Sequence, residues 1–346
     1  MKKLPVFAVL PILTFPLALG CGDSGRRNIR IVETDSQTLV YVDEKEPEVA
    51  PPKAETSVET RRVYVDEKES EVAPPKAETP TPAVLPDFAQ LLALGAKIDK
   101  SGKSLDLTAV EKLDGFDVAA DAERWNAVKV VRGQGRLTAQ TLRALAKLPN
   151  LTEFLWSSAT LATANSDDAT FQGAFADLSK APRLKKIRLT ALQTENGKFP
   201  TAALVALAQT PQLADLDVSG APLTAADLTA VDWKTGFAKL TKLNLYQTKI
   251  GDAGVDALLP LTDRLTSLNL DDAQIGPASA KKIAQFTELT FLHVGRSTLD
   301  DASIAQFAKL DKLAKIHVTR SKATEAGADA LRAALPNCEV VSQPEN

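Results

Sequence analysis

LTKLNLYQTKIGDAGVDALLPL, the stretch from Leu240 to Leu261, decides the fold. Its first half sets Leu240, Leu243 and Leu245 in an L-x-x-L-x-L arrangement, in which the last two leucines alternate with Asn244 and share one side of a short strand. From Asp252 the spacing becomes helical: Val255, Leu258 and Leu259 fall on one face, and acidic Asp252 sits near the positive N-terminal end. The unit is strand, turn, helix. Neither half can bury its apolar face alone, so units of this kind gain a core only by stacking.

Outward from that stretch, the leading leucine recurs at Leu184, Leu213, Leu240, Leu265, Leu289 and Leu313, in steps of 29, 27, 25, 24 and 24 residues. Two looser units precede them, one on Trp125, Val128 and Val130 and one on Leu151, Phe154 and Trp156. Cys338, 25 residues after Leu313, reads as the buried leading position of a last unit. Thr138, Thr224, Asp300 and Thr324 each precede a helical pattern in the place of an N-cap. The oversized steps put extra residues at Asn165-Ser-Asp-Asp and Thr194-Glu-Asn-Gly-Lys-Phe-Pro, rim loops that read equally as insertions or as binding loops.

These registers resemble the leucine-rich repeat family, and T-x-I-x-D-A-G at Thr248 to Gly254 is similar to its ribonuclease-inhibitor and cysteine-containing subclasses. The resemblance implies an α/β solenoid, with parallel strands on a concave face and helices on the convex face. The folded domain is expected over residues 85–346, opening with a cap: a short helix on Phe88, Leu91, Leu92 and Leu94, then a first strand at Ser104 to Leu107.

Ahead of it, Met1-Lys2-Lys3, an apolar run to Leu19, and Gly20-Cys21 have the order of a secretory signal, expected at residues 1–20. The run is short for a bilayer span. Leu17-Ala-Leu-Gly-Cys21 resembles a bacterial lipobox, which implies lipidation at Cys21 and a lipid-anchored protein of the bacterial cell envelope. Ordinary cleavage, giving a secreted or periplasmic protein, is the alternative. Residues 21–84 are expected to be a disordered spacer, because residues 22–84 hold 14 acidic and 9 basic side chains with few large apolar ones. VYVDEKEPEVAPPKAET at Val40 returns as VYVDEKESEVAPPKAET at Val63. Such a duplication reads as a lengthened tether, spanning on the order of 45 Å if random, or as a motif in two copies.

Residues 85–346 carry 30 basic and 30 acidic side chains, a balance that gives no broad footprint for nucleic acid. With two cysteines in the chain and Cys21 assigned to lipid, no internal disulfide is expected. Walker, GxGxxG, GxSxG, HExxH and CxxC motifs are all lacking, and two histidines leave few acid–base or zinc constellations. No catalysis and no cofactor are expected.

The candidate site is the concave face. His293 and His317 occupy the same strand position in successive units and are expected about 4.8 Å apart. Asp217, Asn244 and Asn269 continue that position backwards as a polar ladder, with Lys129, Leu155 and Arg188 before them. Tyr246 and Asp271 follow two residues further along, Arg296 and Arg320 lie beside them, and Phe291 flanks the histidines. In the resembled family such a ladder recognises proteins. The expected function is therefore a non-enzymatic module that binds a protein or an envelope polymer, monomeric and displayed on a membrane. Two alternatives stand beside it: a structural envelope protein without a discrete ligand, and a metal site on His293 and His317 with Asp271.

Overall fold

The structure is a computed structural model that describes the backbone of residues 29–34 and 37–42 and, in full, residues 85–165 and 168–342. The expected signal peptide, the Cys21 lipidation site and most of the spacer lie outside the described residues. Two compact units divide the chain at Thr81 and Pro82. In the first, β1 (Ile29–Thr34) and β2 (Gln37–Val42) pair antiparallel, Ile29 opposite Val42. That part of the stretch expected as spacer is instead a hairpin, rich in β-branched residues.

The second unit is the solenoid. Its strands are β3 (Lys97–Ile98), β4 (Ser104–Asp106), β5 (Val130–Leu137), β6 (Glu153–Leu161), β7 (Lys186–Leu189), β8 (Gln193–Thr194) and β9 (Asp215–Asp217). They continue as β10 (Lys242–Asn244), β11 (Ser267–Asn269), β12 (Phe291–His293), β13 (Lys315–His317) and β14 (Glu339–Val341). All join one sheet, parallel from β4 to β14 and closed at its start by antiparallel β3; β8 pairs with the far end of β6. Behind them run α1 (Phe88–Ala93), α2 (Ala122–Ala127), α3 (Ala139–Ala146), α4 (Ala169–Ser179), α5 (Thr201–Leu207) and α6 (Ala225–Thr229). The series ends with α7 (Gly251–Leu258), α8 (Pro277–Ile283), α9 (Asp301–Ile304) and α10 (Glu325–Ala334).

One continuous core fills the space between strands and helices. The leading residues Leu184, Leu213, Leu240, Leu265 and Leu289 are fully buried, and Leu313 nearly so. Each buried leucine contributes roughly 1.5–3 kcal/mol. In the cap, Trp125 lies between Phe88 and Phe116, each ring 4.8 Å away.

Two phases needed correction. Val131, not Val130, points inward in β5, because Val131 pairs with Phe154; the pattern is Val128-x-x-Val131-x-Gly133. Gly133 hid it, since the Trp156 ring lies over that glycine and fills the place of the missing side chain. Arg132 consequently takes the ladder position expected of Lys129. At the other end Lys315 pairs with Glu339, so Cys338 lies beside Ala314 rather than Leu313. It is half-buried, and burial raises its thiol pKa.

Recurring polar contacts set the stacking. Thr152, Thr241, Thr266 and Thr290 each donate a hydroxyl hydrogen bond to a backbone carbonyl of the preceding repeat. After each strand comes a left-handed residue, Ala191, Gly220, Gln247, Asp272 and Arg296 in turn, whose N–H donates to the following repeat. Thr138, Thr224, Asp300 and Thr324 are N-caps as expected. Asp252 in α7 accepts from the Gly276 amide (2.7 Å) and from the Ser279 hydroxyl of the next repeat; Asp301 accepts from the Thr324 amide (2.6 Å). At the far edge Arg332 is held by Glu325, Asp329 and Ser342 and donates to the Val340 carbonyl (3.3 Å).

Candidate functional site

Three-residue strands fix what the concave face displays. In β10 to β13 the middle residues Leu243, Leu268, Leu292 and Ile316 point into the core. Pleating then turns the first and third residues to the open side. Register aligns them in two rows: Lys242, Ser267, Phe291 and Lys315, then Asn244, Asn269, His293 and His317. All eight are exposed or half-exposed.

Part of the ladder has a structural duty that the sequence reading missed. Asn244 Oδ1 accepts from the Tyr246 amide at 3.1 Å, Asn269 Oδ1 from the Asp271 amide at 3.0 Å, and Asp217 Oδ1 from the Ser219 amide at 3.0 Å. Asp106 does the same with Thr108 in the first repeat. These are Asx turns: a short side chain mimics the backbone and ends the strand. The signal was present, as Asp or Asn two residues before each turn.

Asp217 is buried and its other oxygen accepts from Arg188 Nε at 3.0 Å, so it is already paired. Asp271 is also buried. Arg296 reaches back to it with Nε at 3.1 Å from Oδ1 and with Nη2 on Oδ2, while the guanidinium lies 5.0 Å from the Tyr246 ring centre. A side chain at Gly295 would put Cβ 2.7 Å from the Thr319 carbonyl and 2.9 Å from Asp271 Oδ1, so only glycine leaves room for this pair. Arg320 occupies the same left-handed turn position one repeat later.

The histidines meet as expected, ring centres 4.7 Å apart, with Phe291 5.7 Å from His317. His293 Nε2 is buried without a hydrogen bond, 3.6 Å from Asp271 Oδ2. Burial is the main cause holding the pKa of both imidazoles below the usual value; His317 and Arg296 push the same way at His293, as Lys315 does at His317. Asp271 opposes it at His293. Both rings are thus neutral near pH 7.

Tyr246, Asp271, Phe291, His293, Arg296 and His317 therefore form one cluster, with Asn244 and Asn269 beside it. Among the described residues no three His, Cys, Asp or Glu side chains converge to hold a metal ion. Of the rim loops, Asn196 Nδ2 donates to the Ala164 carbonyl at 3.1 Å, which packs one loop on the other. A shallow hollow of ≈ 420 Å³ lies at the ends of β5 and β6, lined by Gln134, Arg136 and the buried Trp156 among others.

Residues 238–259 and 265–284 match the family model described as Leucine Rich repeat. No curated protein matches the chain. Solved structures similar to it include internalin C2 of Listeria monocytogenes, at 18% identity over 60% of this chain and 76% of that one, TM-score 0.42. A leucine-rich repeat protein of Leptospira interrogans is similar at 17% identity over 69% of this chain and 60% of that one, TM-score 0.42. With strand, turn and helix repeated along one parallel sheet, the described residues of 85–342 form an α/β solenoid, and two of its units match the leucine-rich repeat model.

Proposed function

We propose that the chain is a non-enzymatic binding module that recognises a protein through the concave face of β10 to β13. Leucine-rich repeat folds are commonly protein-interaction modules. One observation carries the reading here: aromatic and imidazole rings stand half-exposed and in register on a rigid sheet, with the Asp271–Arg296 pair against Tyr246 and His293. Groups already fixed lose little conformational freedom on binding, which favours recognition. The Cys21 sequence supports display by a lipid anchor at a bacterial membrane.

Phe291 and Tyr246 are the residues to remove, because Arg296→Ala would strand the buried Asp271 and confound binding with folding. Proteins captured by the full chain should be lost with Tyr246→Ala/Phe291→Ala, at an unchanged melting temperature. An identical captured set would move the site to the rim loops at Asn165 and Asn196. Fatty-acid labelling should mark the wild type and miss Cys21→Ser; equal labelling would remove the anchor.

A further inference from the structure

The two rows of β10 to β13 are one-sided in what they leave unpaired. None of the eight side chains carries a carboxylate. Strands on either side do carry acids, but each is neutralised within the sheet: Asp215 by Lys186 at 3.3 Å, Asp217 by Arg188 at 3.0 Å and Glu339 by Lys315 at 2.9 Å. Asp271, in the turn beside the patch, is neutralised by Arg296. Asp272 belongs to the turn column outside the two rows.

What remains is a set of donors. Lys242 is exposed, and its ammonium group has no ion pair or hydrogen bond with another described residue. The two asparagine amides cannot be turned the other way, because a backbone N–H requires the oxygen at Oδ1; each Nδ2 therefore faces away from its turn, without a partner among the described residues. A neutral imidazole carries one N–H, and Ser267 adds a hydroxyl. Four strands at roughly 4.8 Å spacing make a patch about 14 Å across, the reach of about four extended residues.

We propose that this patch binds an acidic peptide segment of the protein partner, its carboxylates received by Lys242 and by the outward amides of Asn244 and Asn269. The inference rests on the concave face being the binding surface. Lys242 faces Asp215 across the register, but Asp215 is already held by Lys186, which leaves one positive charge in excess; next to fixed amide donors and the Phe291 ring, that excess favours a chain of carboxylates over a chain of ammonium groups.

Other repeats of the solenoid supply the test. Asp217 and Asp106 perform the same turn that Asn244 and Asn269 perform, so Asn244→Asp/Asn269→Asp keeps the fold and converts two donors into two negative charges. Three fluorescent, end-blocked peptides serve as probes for anisotropy with the full chain: alternating Glu-Thr, Gln-Thr and Lys-Thr. The Glu peptide should bind about tenfold or more tightly than the Gln peptide, weaken with salt, and lose about tenfold or more on the double Asp variant at an unchanged melting temperature. The Lys peptide should bind only that variant. Equal binding of the Glu and Gln peptides, tighter binding of the Lys peptide to the wild type, no binding of any of them, or indifference to the Asp variant would each overturn the proposal. Tyr246→Ala/Phe291→Ala separates the two readings. If it abolishes capture of partners while the peptide test fails, the surface stands and the acidic chemistry falls; if it changes nothing, both fall.

Discussion

Leu268 is fully buried in the sheet, while the next residue, Asn269, turns its carboxamide oxygen onto the amide of Asp271. Leu268→Asp removes a burial contribution of roughly 1.5–3 kcal/mol and leaves a carboxylate with no partner in the apolar core, which adds several kcal/mol more. Thermal unfolding should show the C-terminal repeats lost. Asn269→Asp retains the acceptor its turn needs and should shift the midpoint little. Matching losses would mean that strand β11 is in the wrong phase. At this scale the sequence was partly legible. Alternating leucines told which residues enter the core, but the duty of Asn244, Asn269 and Asp217 in their own turns was not visible, because a polar residue facing solvent looks the same whether it binds a partner or its own backbone. Arg296 reads as an anchor on similar grounds; its pairing with Asp271, 25 residues earlier and in the turn of the preceding repeat, is not visible in the sequence.

The elements repeat at a spacing that the leucines announced, and the N-caps at Thr138, Thr224, Asp300 and Thr324 followed from residue type alone. Contacts between helices did not. Asp252 caps nothing in its own repeat; it satisfies the Gly276 amide and Ser279 hydroxyl of the next, both buried. Asp252→Ala should therefore orphan two donors and lower stability by about 1–3 kcal/mol, a shift on the order of several degrees for a domain of this size. Calorimetry on that variant and on Asp252→Asn, which keeps an acceptor, distinguishes the bond from the charge: a loss as large for Asn as for Ala would implicate charge instead. The unit on Val128 shows the opposite difficulty, since Gly133 stands where an apolar side chain was expected and the ring that replaces it comes from the neighbouring strand.

Across the whole molecule, the neighbouring imidazoles of His293 and His317 make stability depend on mild acid. Burial depresses both pKa values, so the folded chain binds fewer protons than the unfolded chain, whose histidines titrate near ~6.5. Their contribution is complete above that pH and is lost as pH falls below it and through the lowered native values. Urea midpoints should be lower at pH 5.5 than at pH 7.5, and His293→Gln/His317→Gln should flatten the difference. An unchanged slope would place the acid sensitivity elsewhere. The solenoid as a whole was legible because each repeat contacts its neighbours and little else. That same locality bears on how the protein is made. Residues 339 and 341 pair with β13, which turns the Val340 carbonyl to the outer edge, where Arg332 covers it. A chain still on the ribosome can dock each repeat as it emerges, yet it carries a bare strand edge at every stage. That edge is sealed only after Ser342 has emerged, because Arg332, which covers it, is itself held by Ser342.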